Sequence, residues 1–358
     1  MLLRSVLALL AFSALLMAQE NSFNRALLLN HPSSLTLQKN EVELTLEYGV
    51  VNNTIDVFNI KSQEVSKERT ESSFGDYDHF KVYFNVGLTD NDMLMANFIA
   101  RKINFGSSSI YARHYELGYR HSFSPNLSLD ISANLNEADD IRLTSVEDLN
   151  STVHKMDPRL SIDEITPLYI WFFKTGDDSL KIGVPYEGTP FASLTDMHDM
   201  TASARLTYGL NSTNFQPNLF LGTGYTYASA IATTNLFDKA STDIQSKLPE
   251  LPIDLSHKEL FVTAGINTFV HLPWNFGAYA EYNYQYFFRG EEFTNANYNQ
   301  TLVLELNYTL KKHLVAAVSG ILFTQQLNGV IPFLYNEQTQ NSFNHKYGWA
   351  AFSLSYLW

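Results

Sequence analysis

Along most of this 358-residue chain, apolar side chains return at every second position, the spacing of a strand with one dry and one wet face. "NLSLDISANLN" places Leu127, Leu129, Ile131, Ala133 and Leu135 on one side, with Ser128, Asp130, Ser132 and Asn134 opposite. "TLVLELNYTL" alternates in the same way from Leu302 to Leu310. No helical periodicity competes with this pattern. Beyond residue 20 no apolar run approaches the roughly 18 residues of a membrane-spanning helix. Fourteen strand segments are expected, near 41–51, 78–88, 92–103, 110–123, 126–136, 166–175, 179–187, 200–210, 216–229, 258–271, 275–289, 297–310, 313–326 and 345–358.

The connections between them alternate in length. Tight ones fall at 89–92, 124–126, 176–179, 211–215, 273–275 and 311–313. Between these lie mostly longer ones, at 52–77, 137–165, 188–199, 230–257 and 327–344, with shorter members at 104–109 and 290–296. Short turns on one side and long loops on the other describe an up-and-down sheet in an outer membrane. A soluble sandwich would also alternate. Against it, Tyr48, Tyr208, Tyr227, Trp274, Tyr284, Tyr286, Phe288, Tyr298 and Tyr308 crowd the ends of apolar faces, as interfacial girdles do. The expected fold is all-β: a closed antiparallel up-and-down transmembrane β-barrel of 14 strands, with 12 or 16 as alternatives. In hydrocarbon a free sheet edge is too costly to keep, so the last strand must pair with the first, near "EVELTLEYGV".

Charge and composition narrow the partners. Arg4 is the only charge before Glu20, and "SVLALLAFSALLMA" has the length of a signal-peptide core, so residues 1–19 read as a signal peptide. Residues 20–40 then form an N-terminal periplasmic tail or a small lumen plug, and 41–358 the barrel. There is no Cys, which removes disulfides, thiolate chemistry and a lipid-anchored precursor. A net charge of −13 argues against nucleic acid, whose phosphates call for clustered Lys and Arg.

The whole mature chain resembles a bacterial outer-membrane β-barrel of the porin-like class. Its closing stretch resembles that class's insertion signature at Phe352, Leu354, Tyr356 and Trp358, where family members usually end on Phe. The resemblance implies outer-membrane lipids and the barrel assembly machinery as partners. "NHPSSL" faintly resembles the plug segment of FadL-type transporters, at Asn30, Pro32 and Leu35.

On the expected inward faces stand Glu43, Glu47, Lys81, Arg101, Glu116, Arg120, Asp130, Lys181, Arg205, Glu259, Glu281 and Glu305. These are candidate lumen-lining residues, with Tyr83, Phe261, Phe269, Tyr279, Phe287 and Trp349 as inward aromatics. Such a lumen fits a pore or facilitated-diffusion channel for an unknown small solute, although mixed charges can also simply brace a wall. Two other readings stay open: a non-transporting surface protein working through acidic loops at 137–165 and 230–257, and a transporter of hydrophobic compounds. Pro185 is the one strand proline that could mark a lateral break. No enzyme is expected: G-x-S-x-G is absent, and His121 and Ser122 point to opposite faces. No cofactor or metal is expected either. Glu137, Asp139 and Asp140 lack Ca²⁺-loop spacing, and "MHDM" offers only His198 and Asp199 beside two thioethers.

Overall fold

The computed structural model describes residues 30–51, 77–105, 108–143, 160–165, 168–175, 178–185, 191–210, 215–235, 252–288, 298–311, 313–323 and 347–358. The expected signal peptide and residues 20–29 lie outside this set, as do most of the long connections. The first strands are β1 (Val42–Val51), β2 (Tyr77–Gly87), β3 (Asp92–Phe105), β4 (Ser108–Ser124) and β5 (Leu127–Ala138). Shorter strands follow: β6 (Ile141–Leu143), β7 (Leu160–Ile165), β8 (Leu168–Thr175) and β9 (Asp178–Pro185). The two longest come next, β10 (Ala192–Gly209) and β11 (Phe215–Thr234), then β12 (Ile253–Asp254). The chain ends with β13 (His257–His271), β14 (Phe276–Phe288), β15 (Tyr298–Lys311), β16 (Leu314–Phe323) and β17 (Tyr347–Leu357).

Twelve of these make the wall. β1 to β5 run in order, β5 pairs with β10, β10 with β11, β11 with β13, and β13 to β17 complete the circuit. Every pairing is antiparallel, and β17 returns to β1 in a register from Glu43↔Leu357 to Val50↔Ala350. The seam is sealed at its end by two backbone bonds, Val42 N–H to Trp358 O at 2.9 Å and Trp358 N–H to Val42 O at 3.0 Å. β6 and β12 prolong the wall locally, beside the outer halves of β10 and β11.

Fourteen wall strands were expected, and the count is corrected to twelve. The segments expected at 166–175 and 179–187 do form strands, β8 and β9, but these pair with each other and with β7 in a separate three-stranded sheet. The physical reason lies in their length and pattern. Each is 8 residues long, short of the about 9–11 that a tilted spanning strand needs. "LYIWFFKT" also carries apolar residues at both parities, so it has no wet face to offer a lumen. β5 instead meets β10 directly, from Tyr208↔Leu127 to His198↔Glu137. β10 is correspondingly longer than expected, taking in residues 192–199 that read as a loop.

The outward faces remain apolar and uncovered. Leu117, Leu219, Leu221 and Val318 are between 58 and 71% exposed, while alternate residues on the same strands are buried. A soluble protein would lose roughly 25 cal/mol for each Å² of apolar surface left in water, and here the exposed band runs around the full circumference. Tyr48, Tyr208, Tyr356, Trp358 and Trp274 stand exposed near strand ends. Aromatic neighbours there meet across strands, as with Phe276–Tyr308 at 4.8 Å and Tyr284–Tyr298 at 6.1 Å. A lipid-solvated Leu304, outward and mid-strand on β15, makes a direct prediction. Leu304→Arg should destabilise the membrane-inserted barrel by about 2–4 kcal/mol, read by denaturant unfolding in liposomes.

Candidate functional site in the barrel interior

Because side chains alternate across a strand, the register that puts leucines outside fixes what faces in. Glu43 and Glu47 enter from β1, Lys81 from β2 and Arg101 from β3. Glu116 and Arg120 enter from β4, Asp130 from β5 and Arg205 from β10. Glu259, Glu281 and Glu305 complete the set from β13, β14 and β15. Lys181 stands apart. It lies on β9 opposite Phe172, in the separate sheet, so it lines no part of the barrel wall. Of the expected inward aromatics, Tyr83, Phe261, Phe269, Tyr279 and Phe287 share the inward register, and Trp349 sits at an inward position opposite Ile321.

Most of these charges are engaged by the wall itself. Asp130 is clamped from both sides, by Arg120 Nε at 2.6 Å and Arg205 NH2 at 2.6 Å. Glu47 holds Lys81 at 2.8 Å and His79 at 3.0 Å. Glu43 accepts from Asn85 at 2.7 Å and from Thr45 at 3.0 Å. Glu116 lies 3.6 Å from His114 and accepts from Asn97 at 3.5 Å. Glu281 accepts from the Tyr279 hydroxyl at 2.5 Å. Asp199, an inward carboxylate that sequence reasoning placed in a loop, accepts from Asn136 at 2.7 Å. The described wall strands therefore face inward with eight carboxylates (those of Glu43, Glu47, Glu116, Asp130, Asp199, Glu259, Glu281 and Glu305) against the cations of Lys81, Arg101, Arg120 and Arg205.

Residues 30–37 occupy the short-turn end of this interior. Pro32, Ser33, Ser34, Thr36 and Leu37 are buried, and Leu37 packs on Met93. Five consecutive carbonyls of this segment accept side-chain bonds from the wall. Arg120 donates to His31 O at 3.0 Å and Leu35 O at 3.1 Å. Asn267 donates to Pro32 O at 2.8 Å, Ser128 to Ser33 O at 2.7 Å and Ser122 to Ser34 O at 3.3 Å. Asn30 bonds Glu43, Thr45 and Asn85, while the His31 ring stacks on Tyr279 at 4.0 Å. Backbone meets backbone at Gly87, where a Cβ would stand 1.9 Å from Gln38 O; only glycine leaves room for the segment to cross β2. The sequence left tail and plug as alternatives for residues 20–40, because these contacts are made to carbonyls, which every residue carries.

The remaining sequence candidates are dispersed. His121 faces outward, with Nδ1 2.7 Å from Asp92, while Ser122 faces in against Ser34. His198 and Asp199 take opposite faces of β10, His198 beside Asp196 at 3.3 Å. Arg113 draws in Asp139 at 3.1 Å and Glu137 at 3.6 Å, and Asp140 accepts from Asp196 N–H. Among the described residues no three His, Asp or Glu gather as metal ligands.

A closed antiparallel wall, apolar without and polar within, with short turns at the end where β1 begins and β17 finishes, satisfies what an outer membrane demands of a spanning sheet. The molecule is a closed β-barrel of the membrane-spanning kind. No family model matches the barrel's sequence, and no curated protein matches it either. Among solved structures it is similar to the translocator domain of the autotransporter NalP from Neisseria meningitidis, at 10% identity over 99% of this chain and 97% of that one, TM-score 0.49. It is also similar to the Pseudomonas putida toluene transporter TodX, at 10% identity over 95% and 94%, TM-score 0.43. A third is a Pseudomonas aeruginosa FadL homologue, at 8% identity over 92% of each chain, TM-score 0.37. Likeness at this level assigns neither substrate nor activity to the barrel.

His31 gives the docked segment a pH dependence. Burial opposes its charge, but the acceptor and negative field of Glu305, 3.8 Å away, with Glu281 and Glu47 behind it, outweigh burial and raise its pKa. Glu43 faces it as well, and Arg120 reaches its carbonyl. A raised folded pKa adds stability that is complete below the unfolded value and is lost as pH rises through the folded one. Hydrogen exchange of residues 30–37 should therefore quicken as pH rises through the neutral range beyond the intrinsic base-catalysed increase, and His31→Gln should flatten that excess.

Proposed function

We propose that the barrel is a channel through which a small solute crosses the outer membrane by facilitated diffusion, and that residues 30–40 obstruct its periplasmic end. The observation that carries this reading is the contrast between the two levels of the interior. At the short-turn end, Ser33, Ser34 and Leu37 are no more than 1% exposed, wedged among wall side chains. Further in, at mid-strand, the side chains of Glu116 and Arg205 remain 33% exposed although both point inward. A wall that only needed bracing would have no reason to leave charged groups wet above a dry stopper.

Passage then requires residues 30–37 to shift, and Arg120 is the residue that resists it most. Its guanidinium spans Asp130 and two segment carbonyls while being fully buried. Removing it leaves Asp130 paired to Arg205, so the wall keeps a partner for its carboxylate. Planar-bilayer recording of the full chain tests the proposal. Arg120→Ala is expected to raise the open fraction or unit conductance several-fold over the unmodified barrel. A sealed bilayer with both proteins, inserted and folded, would refute it.

A further inference from the structure

Half of the barrel wall, from β13 round to β1, is acidic within. Its inward positions carry Glu43, Glu47, Glu259, Glu281 and Glu305. Among the described residues of these strands, Lys258 faces outward and Lys311 stands at a turn, so no Lys or Arg points inward between the turns. The inward cations stand on β2, β3, β4 and β10, where Lys81 reaches Glu47 and both Arg120 and Arg205 hold Asp130. The group that meets Glu305 comes from the docked segment instead. His31 Nε2 lies 3.8 Å from Glu305, and the ring stacks on Tyr279 with centroids 4.0 Å apart and 25° between the planes. The Tyr279 hydroxyl donates to Glu281, which keeps a second carboxylate close to this seat, and Glu47 and Glu43 add their negative field from β1. The His31 side chain is still 20% exposed and Glu281 is partly exposed, so the seat opens on the lumen.

The ring in the seat defines what the seat selects. When residues 30–37 shift, as passage requires, His31 leaves behind an aromatic face flanked by carboxylates. An anion is repelled there. A neutral solute leaves the carboxylates without an opposing charge, and a hydrocarbon takes away their water with no partner in exchange. A tetrahedral ammonium answers the charge but cannot lie flat on Tyr279. A guanidinium or imidazolium group is planar, donates N–H bonds to carboxylates and stacks on an aromatic ring. His31 is itself such a group on a tether.

We propose that Tyr279, Glu281 and Glu305 form a binding site for a small planar organic cation, a guanidinium or imidazolium compound, and that His31 is the built-in occupant which such a solute displaces. The site names the class of solute for the channel reading above and rests on that reading for its physiological role, though its binding does not. Ligand-observed NMR titration of the full chain in detergent with methylguanidinium tests it. Urea (planar and neutral), tetramethylammonium (charged and not planar) and acetate (planar and anionic) are the contrasts. An internal occupant lowers apparent affinity by the fraction of molecules it blocks, so His31→Ala should bind methylguanidinium about tenfold more tightly than the unmodified barrel. Adding Glu305→Gln, which keeps the shape and removes the charge, should weaken that binding about tenfold. In the unmodified barrel, methylguanidinium should hasten hydrogen exchange of residues 30–37. Heat-modifiable gel mobility confirms that each variant is folded. The proposal is overturned by absence of binding to His31→Ala, by equal affinity in the two backgrounds, by indifference to Glu305→Gln, by exchange that the probe leaves unchanged, or by any contrast binding as tightly. Ion current through Arg120→Ala without methylguanidinium binding would sink this site and spare the channel; binding with every bilayer sealed would do the reverse.

Discussion

Everything in this molecule follows from one demand: a strand in hydrocarbon cannot leave its backbone unpaired, since each lone N–H or C=O there costs several kcal/mol. The chain meets it by bringing β17 back to β1, with the final residue exchanging two backbone bonds with Val42. Once the sheet is a closed ring, period-two alternation has only two destinations. Leu44, Leu46 and Tyr48 go to lipid because Glu43, Thr45 and Glu47 go inside, and each register shift of one residue would reverse them all.

That rule makes most of the wall legible in the amino-acid sequence. The inward charges share one parity, so eleven of the twelve candidates stand on inward positions of wall strands. Lys181 does not, because strand length and wall membership are different properties. β8 and β9 are rich enough in aromatic and β-branched residues to be strands, but at eight residues, with β8 apolar on both sides, they lack what a spanning strand needs. The loop reading of residues 192–199 fails for the converse reason. The bulge between Thr195 and His198, with Asp196 at φ 55°, breaks the period that would have announced β10's outer half.

The interior is less legible, and for physical reasons. Residues 30–37 are held through five successive carbonyls, so almost any sequence with Pro32's stiffness and small serines could be gripped the same way. What selects the segment is the donors opposite it: Arg120, Ser122, Ser128 and Asn267, from three different strands. Individually these are ordinary polar positions on alternating strands. Only the ring closure brings β4, β5 and β13 around one segment. The seat of His31 is hidden likewise, because nothing in the spacing of Tyr279, Glu281 and Glu305 says that residue 31 folds in among them.

The central claim is that the leucine faces are solvated by acyl chains while the opposite faces surround a wet interior. The chain has no cysteine, so single cysteines can be placed and spin-labelled without interference. A nitroxide scan along residues 301–310 of β15, in liposomes, measures contact with dissolved oxygen against contact with a water-soluble nickel chelate. The account predicts a strict two-residue alternation, with positions 302, 304, 306 and 308 oxygen-accessible and chelate-protected. Labels at those four positions that meet the chelate as freely as a surface loop does would contradict it.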